Sequence, residues 1–217
     1  MALSTFGTKM KPDSAATYER ARRLANQALW TVDLQSRRLN SVEPEDDKFI
    51  LRKWSDFHFL IVALTRLRRA AELAAKAPPI SEQMRVALKT FDAALPHLKK
   101  MRDVAEHIDD YAVDSGKDRS ISRKSLEVGS SDGEIWQWLG FEIDASKALS
   151  ASIALFGVLK NCAPLIKENE PPKRSMPLQP PLKLGGTNET RFGLTILFRR
   201  TILPPEITPL RWVTASH

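Results

Sequence analysis

The chain is poor in the features that announce a chemistry at sight. One cysteine, Cys162, stands in 217 residues, so no intramolecular disulfide can form and nothing points to an oxidising compartment. It lies in an apolar run before Pro164 with no histidine beside it, which reads as a small buried hydrophobe rather than a reactive thiol. The four histidines, His58, His97, His107 and His217, show neither an HExxH nor a Cys/His spacing, so no metal is expected. Nine glycines form no phosphate-binding loop or dinucleotide fingerprint, and no serine sits in a nucleophile elbow. Nucleotide-dependent chemistry has no basis, and no cofactor is expected. Long apolar runs are also missing: the most apolar stretch, 148–159, stops at Lys160, too short to cross a bilayer. The first ten residues lack the apolar core of a secretion signal. The expectation is a cytoplasmic protein with no membrane partner.

What is present suits a folded domain: 42% hydrophobic and 27% charged residues, near the average for globular proteins, in a chain long enough to bury a sizeable core. The net charge of +7 is unevenly placed. Residues 171–217 hold seven basic against two acidic side chains, or +5, which leaves +2 for everything before them. The same segment holds eight of the fourteen prolines. We therefore expect a flexible N-terminus over 1–13, a helical domain over 14–168, and a basic, proline-rich, irregular tail over 169–217. Within the tail only Phe192 to Phe198 forms a β-prone apolar run.

Apolar positions Leu24, Ala28, Val32 and Leu39 recur at helical spacing and predict a first helix from Asp13 or Ser14 to about Asn40. Glu43-Pro-Glu-Asp-Asp reads as a break followed by an acidic first turn. The run to Lys76 then places Phe49, Trp54, Phe57, Ile61, Leu64, Leu67, Ala71 and Ala74 on one face of a long second helix. A third helix is predicted from Ser81 to about Tyr111, kinked at Pro96. Polar residues 114–132 favour a loop. Ser125-Leu-Glu-Val, Gly129-Ser-Ser-Asp-Gly and Ile135 to Ile143 read as a β-hairpin over about 123–143. In it Ile135, Gln137, Leu139, Phe141 and Ile143 share one face of a strand. Trp136 and Trp138 are expected on opposite sides, one in the core and one open to a partner. A last helix follows from about Asp144. The fold class is thus mainly α: an up-and-down bundle of about four helices with a β-hairpin insertion before the last, plus an irregular tail.

The end of the third helix, Lys99 to Tyr111, gathers basic, acidic, imidazole and phenol groups in about three turns. Asp103, His107 and Tyr111 recur at i, i+4 and i+8 and predict a shared face, with Arg102 beside the apolar stripe. An imidazole near a carboxylate can hold a set tautomer, and an arginine can grip a phosphate with two parallel hydrogen bonds. These groups suit metal-independent cleavage of RNA, His107 moving protons at the ribose and Arg102 stabilising charge on the phosphorane.

Arg102-Asp-Val-Ala-Glu-His107 resembles the Arg-polar-xxx-His motif of HEPN domains. The resemblance implies a helical bundle that pairs as a homodimer, with two motifs facing each other in a metal-independent endoribonuclease. It further implies catalytic roles for Arg102 and His107, with Asp103 at the polar position after the arginine and Tyr111 near the tyrosine of some toxin members. Lys99, Lys100, Arg66 and Arg69 are the basic residues expected to touch RNA. Two plainer readings stay open: the charged residues form ordinary helix-face ion pairs, and the domain is a non-catalytic module for binding another protein.

Overall fold

Alanine and valine dominate the buried stripe of the first helix, α1 (Ser14–Asn40): Ala21, Ala25, Ala28 and Val32 recur every three or four residues and Leu39 closes the series. Such small side chains let a second helix approach closely along the whole stripe. That helix is α2 (Arg52–Ala74), which buries Phe57, Leu60, Ile61, Leu64, Leu67 and Ala71. The computed structural model describes residues 13–44, 46, 51–127 and 129–169, all within one compact unit that ends at Lys173. Phe49 and Phe192 to Phe198 lie outside the described residues, as does all but the first position of the predicted tail.

Glu43 and Asp46 do not form an acidic first turn. α2 begins later, and both carboxylates turn back to accept hydrogen bonds from Arg52, which is 6% exposed. Asp46 takes two of them, at 2.5 and 2.9 Å, and Glu43 and Asp56 one each, both at 3.2 Å. The carbonyls of Arg38 and Ser41 accept from the same guanidinium. One buried cation thereby closes the corner between α1 and α2, since a guanidinium has five donors and each finds an oxygen.

The third helix of the sequence reading is three helices. Leu95, just before Pro96, adopts φ −133° and ψ 61°, because the proline ring disfavours helical backbone in its predecessor. This ends α3 (Ser81–Ala94), and α4 (Leu98–Glu106) starts afresh. His107, at φ −121° and ψ 35°, breaks the chain again before α5 (Ile108–Ala112). Bidentate pairing of Arg68 with Asp92, at 2.6 and 2.8 Å, ties α2 to α3.

In place of the predicted hairpin stands a three-stranded antiparallel meander, β1 (Gly129–Ser131), β2 (Ile135–Trp138) and β3 (Phe141–Asp144): Ser125 and Leu126, expected in a strand, close a short 3-10 helix, Arg123–Leu126, and the expected turn at Gly129 is β1. Leu139 and Gly140, at φ 58° and 75°, make a two-residue turn that pairs Trp138 with Phe141. Trp136 and Trp138 accordingly lie on the same face, and both are 3% exposed, so neither is the open tryptophan that was expected. Trp136 stacks on Phe57 at 5.4 Å and meets the edge of Trp54, which fixes the sheet against the start of α2. Gln137 and Glu142 pair on the outer face. Then α6 (Ala145–Asn161) starts under a cap from Asp144, whose carboxylate accepts from the Lys147 backbone N–H at 2.9 Å, and α7 (Ala163–Glu168) follows. The fold is mainly helical with one small sheet.

Candidate functional site

The end of α4, the break at His107, α5 and the loop 113–122 enclose an open groove of about 990 Å³. Arg102, Asp103, His107 and Tyr111 all line it, as do Lys99 and Lys100. The structure therefore brings together the four residues assigned to catalysis and two of the four assigned to RNA. Lys117 and Arg119, from the polar loop, join them. Five basic side chains face three acidic ones, Asp103, Asp110 and Asp118, so the lining is a net cation.

Arg102 is held by its own helix. Its guanidinium donates to Asp103 at 2.6 Å and pairs with Glu106 one turn on, and its side chain is 20% exposed. Burial works against its charge, but the two carboxylates outweigh burial and keep its pKa above the ordinary arginine value. Nε is buried without a hydrogen-bond partner among the described residues. His107 is exposed at the break between helices. The expected Asp103–His107–Tyr111 face is not a continuous helical face, because the backbone turns at His107. The links that survive are main-chain: His107 N–H donates to the Asp103 carbonyl at 3.2 Å and Tyr111 N–H to the His107 carbonyl at 3.3 Å.

Tyr111 is 5% exposed and serves as the pillar of the loop. Its hydroxyl accepts from the Asp118 backbone N–H at 3.3 Å, and its ring lies so close under Gly116 that a Cβ there would come within 2.3 Å. Asp118 carries the rest: Lys100 reaches it at 2.6 Å, and the Ser120 hydroxyl and N–H both donate to it. These bonds, Lys100 foremost, draw its carboxyl down to about 2. Lys100 also lies 5.0 Å over the ring of Phe141, so it is committed to the loop and sheet. Lys99 is exposed and, among the described residues, makes no ion pair.

Arg66 and Arg69 are elsewhere. They line a smaller groove, about 330 Å³, between α1 and α2 with Leu24, Gln27 and Thr31. Their neighbour Arg68 is engaged instead by Asp92 and Glu72. Among the described residues no three His, Cys, Asp or Glu side chains are grouped to hold a metal ion. Cys162 is buried, and burial pushes its thiol pKa up, which suits an inert side chain. Burial also lowers His58, which meets the edge of Trp138 at 4.8 Å. One stretch, Ala145–Glu168, is long and apolar enough by composition to cross a membrane, with mean hydropathy 1.6, although the chain turns at Cys162 between α6 and α7.

The part of the groove that sequence reasoning missed is its second wall. The signal was present in Gly116, Lys117 and Arg119 after the aromatic Tyr111, but a loop's direction is not periodic and cannot be read from spacing. No protein-family model matches this chain, and neither the curated proteins nor the solved structures yield a match.

Proposed function

We propose that the α4–α5 groove binds RNA and cleaves it without a metal, on the pattern of an HEPN-like domain whose long helices form an up-and-down bundle. The observation that carries this reading is one open groove, net cationic, lined by both Arg102 and His107. An exposed imidazole can take the ribose 2′-hydroxyl proton or protonate the leaving oxygen. Arg102 would stabilise the phosphorane, exchanging Asp103 and Glu106 for phosphate oxygens, while Lys99, Lys117 and Arg119 hold the backbone on either side. A homodimer in the cytoplasm belongs to the same reading.

The test is incubation of purified wild type, His107→Ala and Arg102→Ala with total RNA in EDTA, reading the cleaved ends. Wild type leaves 2′,3′-cyclic phosphates, and both variants lose cleavage by at least about a hundredfold with unchanged helical content. No cleavage, or equal cleavage by all three, overturns the reading.

A second reading is favoured by a specific observation. Asp103 and Glu106 already neutralise Arg102, as expected of an ordinary ion-pair cluster on a non-catalytic protein-binding module. Its surface would not be the hairpin tryptophans, which are buried.

A further inference from the structure

Between α3 and α6 runs a second open groove, about 840 Å³, whose lining shares no residue with the Arg102 groove. The two helices are antiparallel. His97, just past α3, stacks on Phe141, just before α6, at 4.4 Å, while α7 returns to the Pro78–Ile80 turn that precedes α3. Phe91 and Leu155 line the groove beside small side chains such as Ala87 and Ala151, which leave room for another chain to sit low between the helices. Val86, on the α3 wall, stands 54% exposed. On the α6 wall Lys147, Ser150 and Ala154 are exposed and Ala151 and Val158 half-buried, so this face is only partly covered.

We propose that this face is the seam of a homodimer, covered by the same face of a second copy across a two-fold axis. Charge selects a second copy as the occupant. The groove has two charged lining residues, Glu82 at the end where α3 begins and Lys147 at the end where α6 begins. They are separated by about one length of α3, roughly 18 Å. An axis through mid-groove reverses its direction, so that each Glu82 faces the partner's Lys147, and the apolar middle meets itself. A partner of one charge sign would be matched at one end and repelled at the other. Glu82 and Lys147 are 77% and 78% exposed, and their present contacts, to Arg85 at 3.6 Å and Asp144 at 3.2 Å, are solvent pairs that are easily exchanged. This seam differs from the one implied by the HEPN resemblance. It leaves the Arg102 groove open on both chains, and it stands or falls independently of RNA cleavage.

The experiment is analytical ultracentrifugation of the full chain up to about 100 µM. Ala154→Arg adds bulk at an exposed lining position of α6 that an isolated chain tolerates, so its circular dichroism stays that of wild type. The wild type self-associates through this face, and Ala154→Arg sediments at half the wild-type mass. Glu82→Lys and Lys147→Glu each weaken the dimer by about tenfold or more, and the double variant recovers most of that loss. A monomeric wild type overturns the proposal, as does a dimer that Ala154→Arg leaves intact or a double variant no better than the singles. A wild-type monomer that floats with phosphatidylcholine vesicles would assign the face to lipid instead.

Discussion

Arg52 and Arg102 are both arginines among carboxylates, and the comparison shows what separates a fastening from a site. Arg52 is 6% exposed and its donors meet three carboxylates and two carbonyls drawn from α1, the connecting segment and α2. Its partners run from Arg38 on α1 through the connecting segment to Asp56 on its own helix, so releasing it opens a corner of the fold. Arg102 finds both carboxylates within four residues on its own helix, keeps an Nε that is unpartnered among the described residues, and stands on the wall of an open groove. Removing its side chain strands nothing deeply buried. Satisfaction and burial distinguish the two, whereas the local composition of acids and bases does not.

The largest effect that sharpens this contrast is Arg52→Met, which takes the shared cation from Asp46 and Glu43 and leaves Asp56 with the half-exposed Arg38; it should cost about 3 kcal/mol in urea unfolding. Arg102→Ala should cost less than about 1 kcal/mol by the same measurement; equal losses would break the distinction. Next, Gly116→Ala forces a methyl into the Tyr111 ring and should cost about 2 kcal/mol, moving the loop wall of the groove while leaving the Arg52 corner intact. Hydrogen exchange of the loop 113–122 against α1 reports which region opens.

A smaller effect is expected on acidification. Asp46 at the Arg52 corner and Asp118 in the groove loop are both drawn down to about 2, by hydrogen bonds from Arg52 and Lys100 respectively. Carboxyls depressed in the folded state contribute stability that is fully present above the ordinary carboxyl range, near 4, and is lost as pH falls toward 2. Asp118→Asn should flatten that stretch of the stability curve, and wild-type slope in the variant would show that the loop pair contributes nothing. The smallest effect concerns Cys162: its buried, raised thiol should react with iodoacetamide only as fast as the fold opens.

Much of the helical framework was legible, because burial on a helix repeats every 3.6 residues and leaves a mark in composition. Ala28, Val32 and Leu39 on α1, and Phe57, Ile61, Leu64, Leu67, Ala71 and Ala74 on α2, are buried as their spacing implies. Leu24 fits the same spacing yet is 51% exposed, since it lies at the margin of the stripe beside the Arg66 groove. The sheet was misread for a reason of parity. A two-residue turn at Leu139-Gly140 puts even positions of β2 and odd positions of β3 on one face, so alternation carried across the turn assigns the wrong face.

Local chemistry was therefore determined by the sequence alone: where the long helices run, that Pro96 bends one, and that acids, bases and an imidazole crowd the stretch from Lys99 to Tyr111. Tertiary structure alone decided what those groups face. The loop from Gly116 to Ser120 becomes the groove's second wall because Tyr111 and Lys100 hold Asp118 there, Arg66 and Arg69 are carried to a different groove, and α6 is left half-covered. The physical reason is range: propensity and periodicity act over a few residues, whereas packing and ion pairing join residues that the chain keeps far apart.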